Sequence, residues 1–372
     1  MAIGSITLFL CGDVMLGRGV DQILPHPGDP ALRERYLRDA RDYIGLAEQV
    51  NGPVPGSVDL TWPWGDALTV LDAVAPDARV VNLETSVTTC DGFAPGKAVH
   101  YRMNPANLPA LSVARPDVCA LANNHVLDFG HRGLLDTLDH LAQAGVRAVG
   151  AGHNRAEAWE PAVIPLNGGQ RVLVCSFGTP SSGIPGHWAA TDRRPGVAFV
   201  DTPTDPTADK ITARMRRRRG SGDLAVASVH WGSNWGYEVD GDQVRFAHRL
   251  VDGGIDIVHG HSSHHPRPIE VYRGKLILYG CGDFIDDYEG IGGYEQYRPD
   301  LRLALFAEFT ADTAVLTRLR MMPLQARRLR LHRASDRDAN WLRAQIDRIS
   351  RPFGSYVDCD PDGTLVLQWS AQ

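Results

Sequence analysis

The chain has 372 residues, enough for one large domain or two of ordinary size with a substantial core. Hydrophobic residues make up 43% of the chain and charged residues 22%, as in ordinary globular proteins. The formal net charge of −6 argues against nucleic acid as the main partner, because phosphate binding needs a basic face. The basic run MRRRRG at 215–220 is interpreted as a solvated helix end, with a docking patch for an acidic partner as the alternative.

The first segment, MAIGSITLFLCGDVMLG, predicts a β-strand, since its apolar run is too short for a signal peptide or a membrane anchor. The six cysteines show no CxxC spacing. Four of them lie in or beside apolar runs, as buried reduced thiols do: Cys11, Cys119, Cys175 and Cys281. These features predict a cytoplasmic protein that does not associate with a membrane.

Short apolar runs that end in polar loops recur along the chain. In order they are SITLFLCGD, ARVVNLETS, DVCALANNH, RVLVCSFGT, DLAVASVHWG, DIVHGHSSHH and KLILYGCGDF. Such runs are typical of buried strands in a sheet that is covered on both faces. Amphipathic helical stretches separate several of them, including DQVRFAHRLVDGG and HRGLLDTLDHLAQAG, whose Gly145 fits a helix C-cap. The predicted fold class is α/β, a layered αββα sandwich.

Residues 1–325 are predicted to form the main domain, and no linker separates a second one. An insertion at about 20–66, with the helical piece RERYLRDARDYIGLAEQ, is expected to form one wall of a cleft. Residues 326–372 are expected to form a C-terminal extension packed on the same domain.

Polar side chains follow the predicted strands at their carboxyl ends, where open α/β sheets place ligand sites. Histidine nitrogen combined with carboxylate and amide oxygen suits Mn²⁺, Zn²⁺, Fe²⁺ or Co²⁺ better than Ca²⁺. The histidine cluster of VHGHSSHHPRPIE is therefore interpreted as part of a metal site, with a polar loop as the alternative. No organic cofactor is indicated. The strand-end residues are Asp13, Glu84, Asn124, His125, His230, His261 and His264.

Five motifs, GDVMLGR, NLETSVT, ANNHVLDFG, HWGSNWGYE and GHSSHHPRPIEVYRGKLILYGCGDF, resemble in this order the CapA or PgsA family, named for poly-γ-glutamate capsule synthesis. The similarity spans roughly residues 5–325, and that family is similar in fold to the calcineurin-like metallophosphoesterases. The resemblance implies a catalytic set of His125, Asp13 and Glu84, with His125 as the acid/base that does not bind metal. The implied metal ligands are Asp13, Glu84 as the bridging carboxylate, Asn124, His230, His261 and His264.

Two departures from the phosphoesterase pattern bear on the metal. Met15 stands where that pattern has a histidine two residues after the first aspartate. The paired histidines are spaced GHxxH rather than GHxH, which leaves open which of His261, His264 and His265 binds metal. We therefore expect one tightly bound ion, with the second weak or absent.

Other residues in these motifs are candidates for contact with ligands or substrate. Each also has a structural interpretation. In that interpretation an aspartate or histidine anchors a loop or orients a ligand, a basic side chain such as Lys97 is solvated, and a tryptophan packs in the core. These candidates are Asp128, His259, His265, Asp283, Arg18, Trp231 and Trp235.

The resemblance extends to a soluble branch of peptide epimerases in lasso-peptide biosynthesis. It implies a metal-dependent isomerase that inverts the α-carbon of a C-terminal tryptophan in a ribosomal precursor peptide, with or without a leader-binding protein. The alternatives are a metal-dependent hydrolase of phosphoesters or γ-glutamyl amides, and a non-catalytic poly-γ-glutamate accessory protein.

Overall fold

The computed structural model describes residues 4–370, and within them the apolar runs form strands and the amphipathic stretches form helices. The strands are β1 (Ser5–Val14), β2 (Ala78–Leu83), β3 (Ser86–Val87), β4 (Arg102–Met103), β5 (Val118–Ala120), β6 (Arg147–Val149), β7 (Ala151–Gly152), β8 (Ala162–Pro165), β9 (Arg171–Gly178), β10 (Gly196–Val197), β11 (Leu224–His230), β12 (Ile257–His261), β13 (Ile269–Tyr272), β14 (Lys275–Leu278), β15 (Asp283–Ile285), β16 (Leu301–Thr310), β17 (Leu316–Ala326), β18 (Leu331–Arg333), β19 (Ser355–Cys359) and β20 (Leu365–Trp369). The helices are α1 (Arg18–Ile23), α2 (Arg41–Asn51), α3 (Asp66–Val74), α4 (Pro109–Ser112), α5 (Gly130–Gln143), α6 (Arg155–Ala158), α7 (Asp205–Arg218), α8 (Gly241–Asp252) and α9 (Asp336–Ser350).

Two large mixed sheets form the centre of the molecule. The first has the order β19-β20-β17-β16-β1-β2-β5-β6, with β15 added at β1 and β18 at β17. The second has the order β13-β14-β12-β11-β9-β8. Strands β1, β2, β5 and β6 are parallel to their neighbours in this series, as are β9, β11, β12 and β14. Parallel pairing brings the polar strand ends of each sheet to one edge.

Three hydrophobic cores define the layers. Between the sheets, Leu8 and Val80 of the first belong to one buried cluster with Val174 and Val226 of the second. The outer face of the first sheet packs against α3 and α5, and that of the second against α7 and α8. The predicted α/β class with αββα layers is therefore confirmed.

The predicted elements match the structure closely except in one segment. Gly145 follows α5 with a φ of 73°, as expected for a glycine that ends a helix, and the basic run forms the exposed end of α7. The helix predicted from RERYLRDAR is wrong at its start, because α2 begins only at Arg41. Glu34 is buried instead, where it accepts a hydrogen bond from Arg18, and this contact holds the segment as a loop.

Two further features bear on the predictions from the sequence. All six cysteines are free thiols, and the four expected to be buried are buried. In the part of the chain that the structure describes, no helix is long and apolar enough to cross a membrane. The division into domains stays a prediction, although β20 pairs with β17 and so joins the C-terminal segment to the first sheet.

Gly12 lets β1 lie close to the backbone of Gly282. A methyl group on Gly12 would lie 1.6 Å from the carbonyl oxygen of Gly282, which is rigid backbone. We expect Gly12→Ala to lower the free energy of unfolding by more than about 3 kcal/mol, measured by urea denaturation. The matched change Gly45→Ala in α2 meets no atom within 4 Å, and should raise stability by about 0.5–1 kcal/mol. Equal stability of the two variants would contradict this account of Gly12.

Candidate metal centre

Asp13 lies where the two sheets meet, at the carboxyl end of β1. The register of β1 shifts there, so that Asp13 pairs with Asn82 of β2 on one side and with Asp283 of β15 on the other. The carboxylate is 1% exposed; Oδ1 accepts a hydrogen bond from Asn82 Nδ2 at 2.7 Å, and Oδ2 accepts one from the Ser262 amide at 3.2 Å. Ser262 has a φ of 102°, a strained conformation for a residue with a side chain, of the kind found at functional sites.

The first candidate ligand group contains Asp13, His230 and His261, with one ligand atom of each within 4.8 Å of the others. The two Nδ1 atoms of the histidines are only 2.7 Å apart, and His261 Nδ1 is 3.9 Å from Asp13 Oδ1. Burial lowers the pKa of both imidazoles well below the ordinary value, so both are neutral. Neutral imidazole is the form that binds metal.

The second candidate group contains three buried carboxylates, those of Asp13, Glu84 and Asp283, again within 4.8 Å. Burial, followed by the charge of Asp283, raises the pKa of Asp13 to about 7, and burial with the charge of Asp13 raises that of Glu84 well above its ordinary value. Three carboxylates without a cation must therefore share protons. A divalent cation would neutralise them, and carboxylate oxygen with imidazole nitrogen suits the transition metals. The residues of both groups thus fit the expected ion.

Three predicted ligands have other contacts. Asn124 Oδ1 accepts a hydrogen bond from His230 Nε2 at 2.9 Å, which places its amide beside the first group, and its role as a ligand stays a prediction. His264 Nδ1 lies 3.0 Å from Asp283, outside both groups, and this carboxylate raises the pKa of His264 against the effect of burial. Glu84, expected to bridge, belongs to one group, whereas Asp13 belongs to both.

The remaining two histidines of the cluster form hydrogen bonds within the protein. His259 Nε2 donates to the Cys11 carbonyl at 2.7 Å, and His259 Nδ1 lies 3.1 Å from Ser228 Oγ, which also contacts His261. His265 Nδ1 donates to the Pro266 carbonyl at 3.0 Å, and its ring is buried. Neither belongs to a ligand group in the described residues.

His125 forms an acid/base pair with Asp128 beside the second group. His125 Nδ1 donates to Asp128 Oδ2 at 2.6 Å, and Lys97 and the Tyr101 amide also donate to this carboxylate. The Tyr101 ring stacks on the imidazole with 3.7 Å between centroids. His125 Nε2 remains unprotonated and lies 3.9 Å from Glu84 Oε1. Burial lowers the pKa of His125 to about 3 in the absence of a metal, so the ring is neutral.

Arg18 is buried and bound within the protein. It donates to Asp287 and to Glu34, and its guanidinium lies 3.7 Å from the centroid of the Tyr43 ring. Its charge is therefore compensated by two carboxylates, and its role is to fix the tyrosine rings that surround it.

A cavity of about 280 Å³ opens over the candidate centre. Trp235 lines it and stacks on Tyr294 with 3.9 Å between centroids. Trp231 does not reach it, since this side chain is 1% exposed and packs among the helix-side core residues of the second sheet. The lining residues are Arg18, Tyr43, Glu84, Val99, Tyr101, Asn124, His125, Asn234, Trp235, Ser262, His264, Tyr288, Ile291, Tyr294 and Pro299.

Sequence reasoning missed two features of this site. Asp283 was expected as a supporting residue, but it is a member of the second ligand group. The run LILYGCGDF carried the signal, because Asp283 follows an apolar strand as Asp13 does. Two tyrosines of the site, Tyr101 on His125 and Tyr288 against His264, gave no signal at all, since an isolated tyrosine is as common in a core.

Comparison with known proteins identifies the family. The model of the family described as bacterial capsule synthesis protein PGA_cap matches residues 7–288. The chain belongs to this family. It is 55% identical over 361 residues to a probable polyglutamine synthesis accessory protein of Mycobacterium tuberculosis, covering 97% of this chain and 95% of the relative. It is 30% identical over 214 residues to the PGA biosynthesis protein CapA of Bacillus subtilis, covering 57% of this chain and 54% of that one.

Two solved structures match this chain over much of its length. One, described as a novel phosphatase from Mycoplasma pneumoniae, has a TM-score of 0.47 and 12% identity, covering 87% of this chain and 94% of that chain. The other, a 5'-nucleotidase precursor from Thermus thermophilus, has a TM-score of 0.48 and 17% identity, covering 87% of this chain and 54% of that chain.

Proposed function

We propose that the protein is a metal-dependent hydrolase that cleaves a γ-glutamyl amide bond during the synthesis of a glutamyl polymer. The observation that carries the proposal is the Asp128–His125 pair at the same cavity as Glu84, a member of the second ligand group. A divalent ion held there would polarise the scissile carbonyl and make a water molecule more acidic. The names of the relatives, which concern polyglutamine and PGA synthesis, support the polymer.

The residues of the chain supply the proton transfers. Because Asp128 holds the Nδ1 proton of His125, the free Nε2 accepts a proton from the attacking water. The same nitrogen then returns this proton to the leaving amine as the amide bond breaks. The stacked Tyr101 ring keeps the imidazole in this orientation.

Charge at the cavity favours an amide over a phosphoester. Arg18, the arginine among the described lining residues, is already paired with Asp287 and Glu34. His264 is paired with Asp283 in the same way. Apart from the metal ion, a phosphate group would therefore find no uncompensated basic side chain among these residues. The peptide epimerase expected from the sequence receives no support from the relatives, and we replace it with the hydrolase.

The test compares substrates on one metal-loaded preparation. Metal-free protein is supplemented with Mn²⁺ and incubated with a γ-linked glutamate oligomer, and release of shorter products is followed by mass spectrometry. We expect cleavage that a chelator abolishes, and no action on bis-p-nitrophenyl phosphate. Turnover of the phosphodiester with an intact oligomer would make the protein a phosphoesterase. Intact substrates with stoichiometric metal would leave a non-catalytic accessory role, and α-proton exchange in deuterated water would restore the epimerase.

A further inference from the structure

A second cavity, of about 640 Å³, adjoins the first at Trp235, which lines both. It has no part in the hydrolytic chemistry described above. Residues of the loop that follows β11, together with residues of α8, α9 and the loop after β12, form its walls. Its lining residues are Ser181, Gly232, Ser233, Trp235, Gly236, Tyr237, Glu238, Asp240, Gln243, Arg267 and Arg348.

Arg267 is a buried cation in this cavity that lacks an acidic partner. Its side chain donates to the carbonyls of Glu238, at 3.1 Å, and Ser233, at 2.8 Å, and to the Ser233 hydroxyl at 2.8 Å. Within residues 4–370 no carboxylate forms an ion pair with it, the charge of Asp240 acts on it only from a longer distance, and its Nε has no hydrogen-bond partner. The residue is 3% exposed. A buried guanidinium without a counter-charge is costly, so this position is suited to an anion that arrives with a ligand.

A second unpartnered donor lies in the same wall. The hydroxyl of Tyr237 is buried and forms no hydrogen bond with the described residues. Its ring is fixed edge-on against His265, with 4.6 Å between centroids, and Arg348 lies 5.4 Å from the ring centroid. Polar groups in folded proteins are rarely left in this state unless they meet a ligand or an ion.

The backbone makes room for the guanidinium. Gly232 has a φ of 80°, and a methyl group there would lie 3.3 Å from Arg267 Nη1. The acids Glu238 and Asp240 are exposed at the rim, as is Arg348. Burial lowers the pKa of Arg267, and the charge of Asp240 offsets only part of this effect. The positive charge at the buried wall is therefore compensated only in part.

We propose that this second cavity is a carboxylate subsite, in which Arg267 Nε and the Tyr237 hydroxyl bind an acid group of the polymer unit next to the cleaved bond. The inference rests on the proposed function, and it assigns the substrate as a chain with a free carboxylate on neighbouring units. Trp235, shared by the two cavities, would separate the acid group from the reacting amide. Binding by both donors would give the carboxylate a defined register.

The test uses calorimetric binding of two probes to the full chain carrying His125→Ala, so that the probes are not consumed. The probes are a γ-linked glutamate trimer and the matched trimer whose free carboxylates are amides. We expect the acidic trimer to bind about tenfold more tightly, and Tyr237→Phe to remove most of this preference. Because the hydroxyl has no partner in the protein, Tyr237→Phe should leave the melting temperature unchanged. The exposed Tyr36→Phe is the matched control, and Arg267→Gln tests the charge.

The outcomes separate the subsite from the hydrolase. Selective binding that depends on Tyr237 and Arg267, without hydrolysis by the wild type, would support the subsite and overturn the hydrolase. Hydrolysis with the same KM in wild type and Tyr237→Phe would overturn the subsite and leave the hydrolase intact. Equal affinity of both trimers for the parent protein would also overturn the subsite, whatever the activity.

Discussion

Asp13→Asn is expected to abolish metal binding, weakening affinity by more than about 100-fold, and with it all metal-dependent activity. Asp13 is the residue common to both ligand groups, so its charge contributes to every ion that the centre holds. Asparagine has nearly the same shape as aspartate, and its single carbonyl oxygen can still accept a hydrogen bond from Asn82 or from the Ser262 amide, although not from both. The loss would therefore report the charge and not a collapsed site.

The same substitution should stabilise the metal-free protein. Burial raises the pKa of Asp13 to about 7, so ionisation of this carboxyl disfavours the folded state. The folded chain holds this proton more tightly than the unfolded chain, and wild-type stability falls as the pH rises from about 4 to about 7. The advantage of Asp13→Asn should grow over the same interval.

Elemental mass spectrometry and thermal melts with and without Mn²⁺ measure both effects. Wild type should bind metal and gain melting temperature from it, whereas Asp13→Asn should show neither. The exposed Asp192→Asn, whose side chain is 81% exposed, is the matched control and should behave as wild type. Stoichiometric metal in Asp13→Asn would contradict the shared role of Asp13.

Sequence alone predicted the location of the site because parallel strands bring their carboxyl ends together. The alternation of side chains along a strand adds detail that we did not use at that stage. In β11, Ser228 and His230 point to the site, so the next residue, Trp231, points to the opposite face and packs against Phe246 of α8. The same period of two could have excluded Trp231 from the cavity before the structure was known.

The exact ligand sets depend on the geometry of loops, in which side chains do not alternate with a regular period as they do in a strand. His264 follows the end of β12, where the positive φ of Ser262 turns the chain, and it pairs with Asp283 instead of joining His261. Asp283 itself reaches Asp13 because β15 pairs with the end of β1, a contact between distant segments. The carboxylate subsite likewise depends on contacts between Arg267 and a distant loop.

A buried charge also explains the one helix that was predicted too long. The run RERYLRDAR has helix-forming residues, and local propensity alone favours a helix there. Arg18, fixed in the wall of the cavity, instead binds Glu34 and Tyr43, which themselves form a hydrogen bond. Tertiary contacts that satisfy a buried guanidinium therefore outweigh local propensity in this segment.

His125→Ala is expected to lower kcat by about 10²–10⁴-fold while leaving the metal content unchanged. The imidazole belongs to neither ligand group, so its removal leaves the ions in place. In the wild type, Asp128 binds Nδ1 of His125 and the free Nε2 faces Glu84. His125→Ala therefore has no group that transfers the proton from the water to the leaving amine.

The measurement is the initial rate of γ-linked glutamate oligomer cleavage, with metal content determined on the same sample. Asp128→Asn, which loosens the orientation of the ring but keeps the imidazole, should lose less activity than His125→Ala. His153→Ala, at a half-exposed site on the loop before α6, is the matched control and should retain full activity. Full activity in His125→Ala would show that this residue takes no part in the chemistry. Loss of metal in the same variant would reassign His125 as a ligand, because metal binding should be lost only when a residue that binds the ion directly is removed.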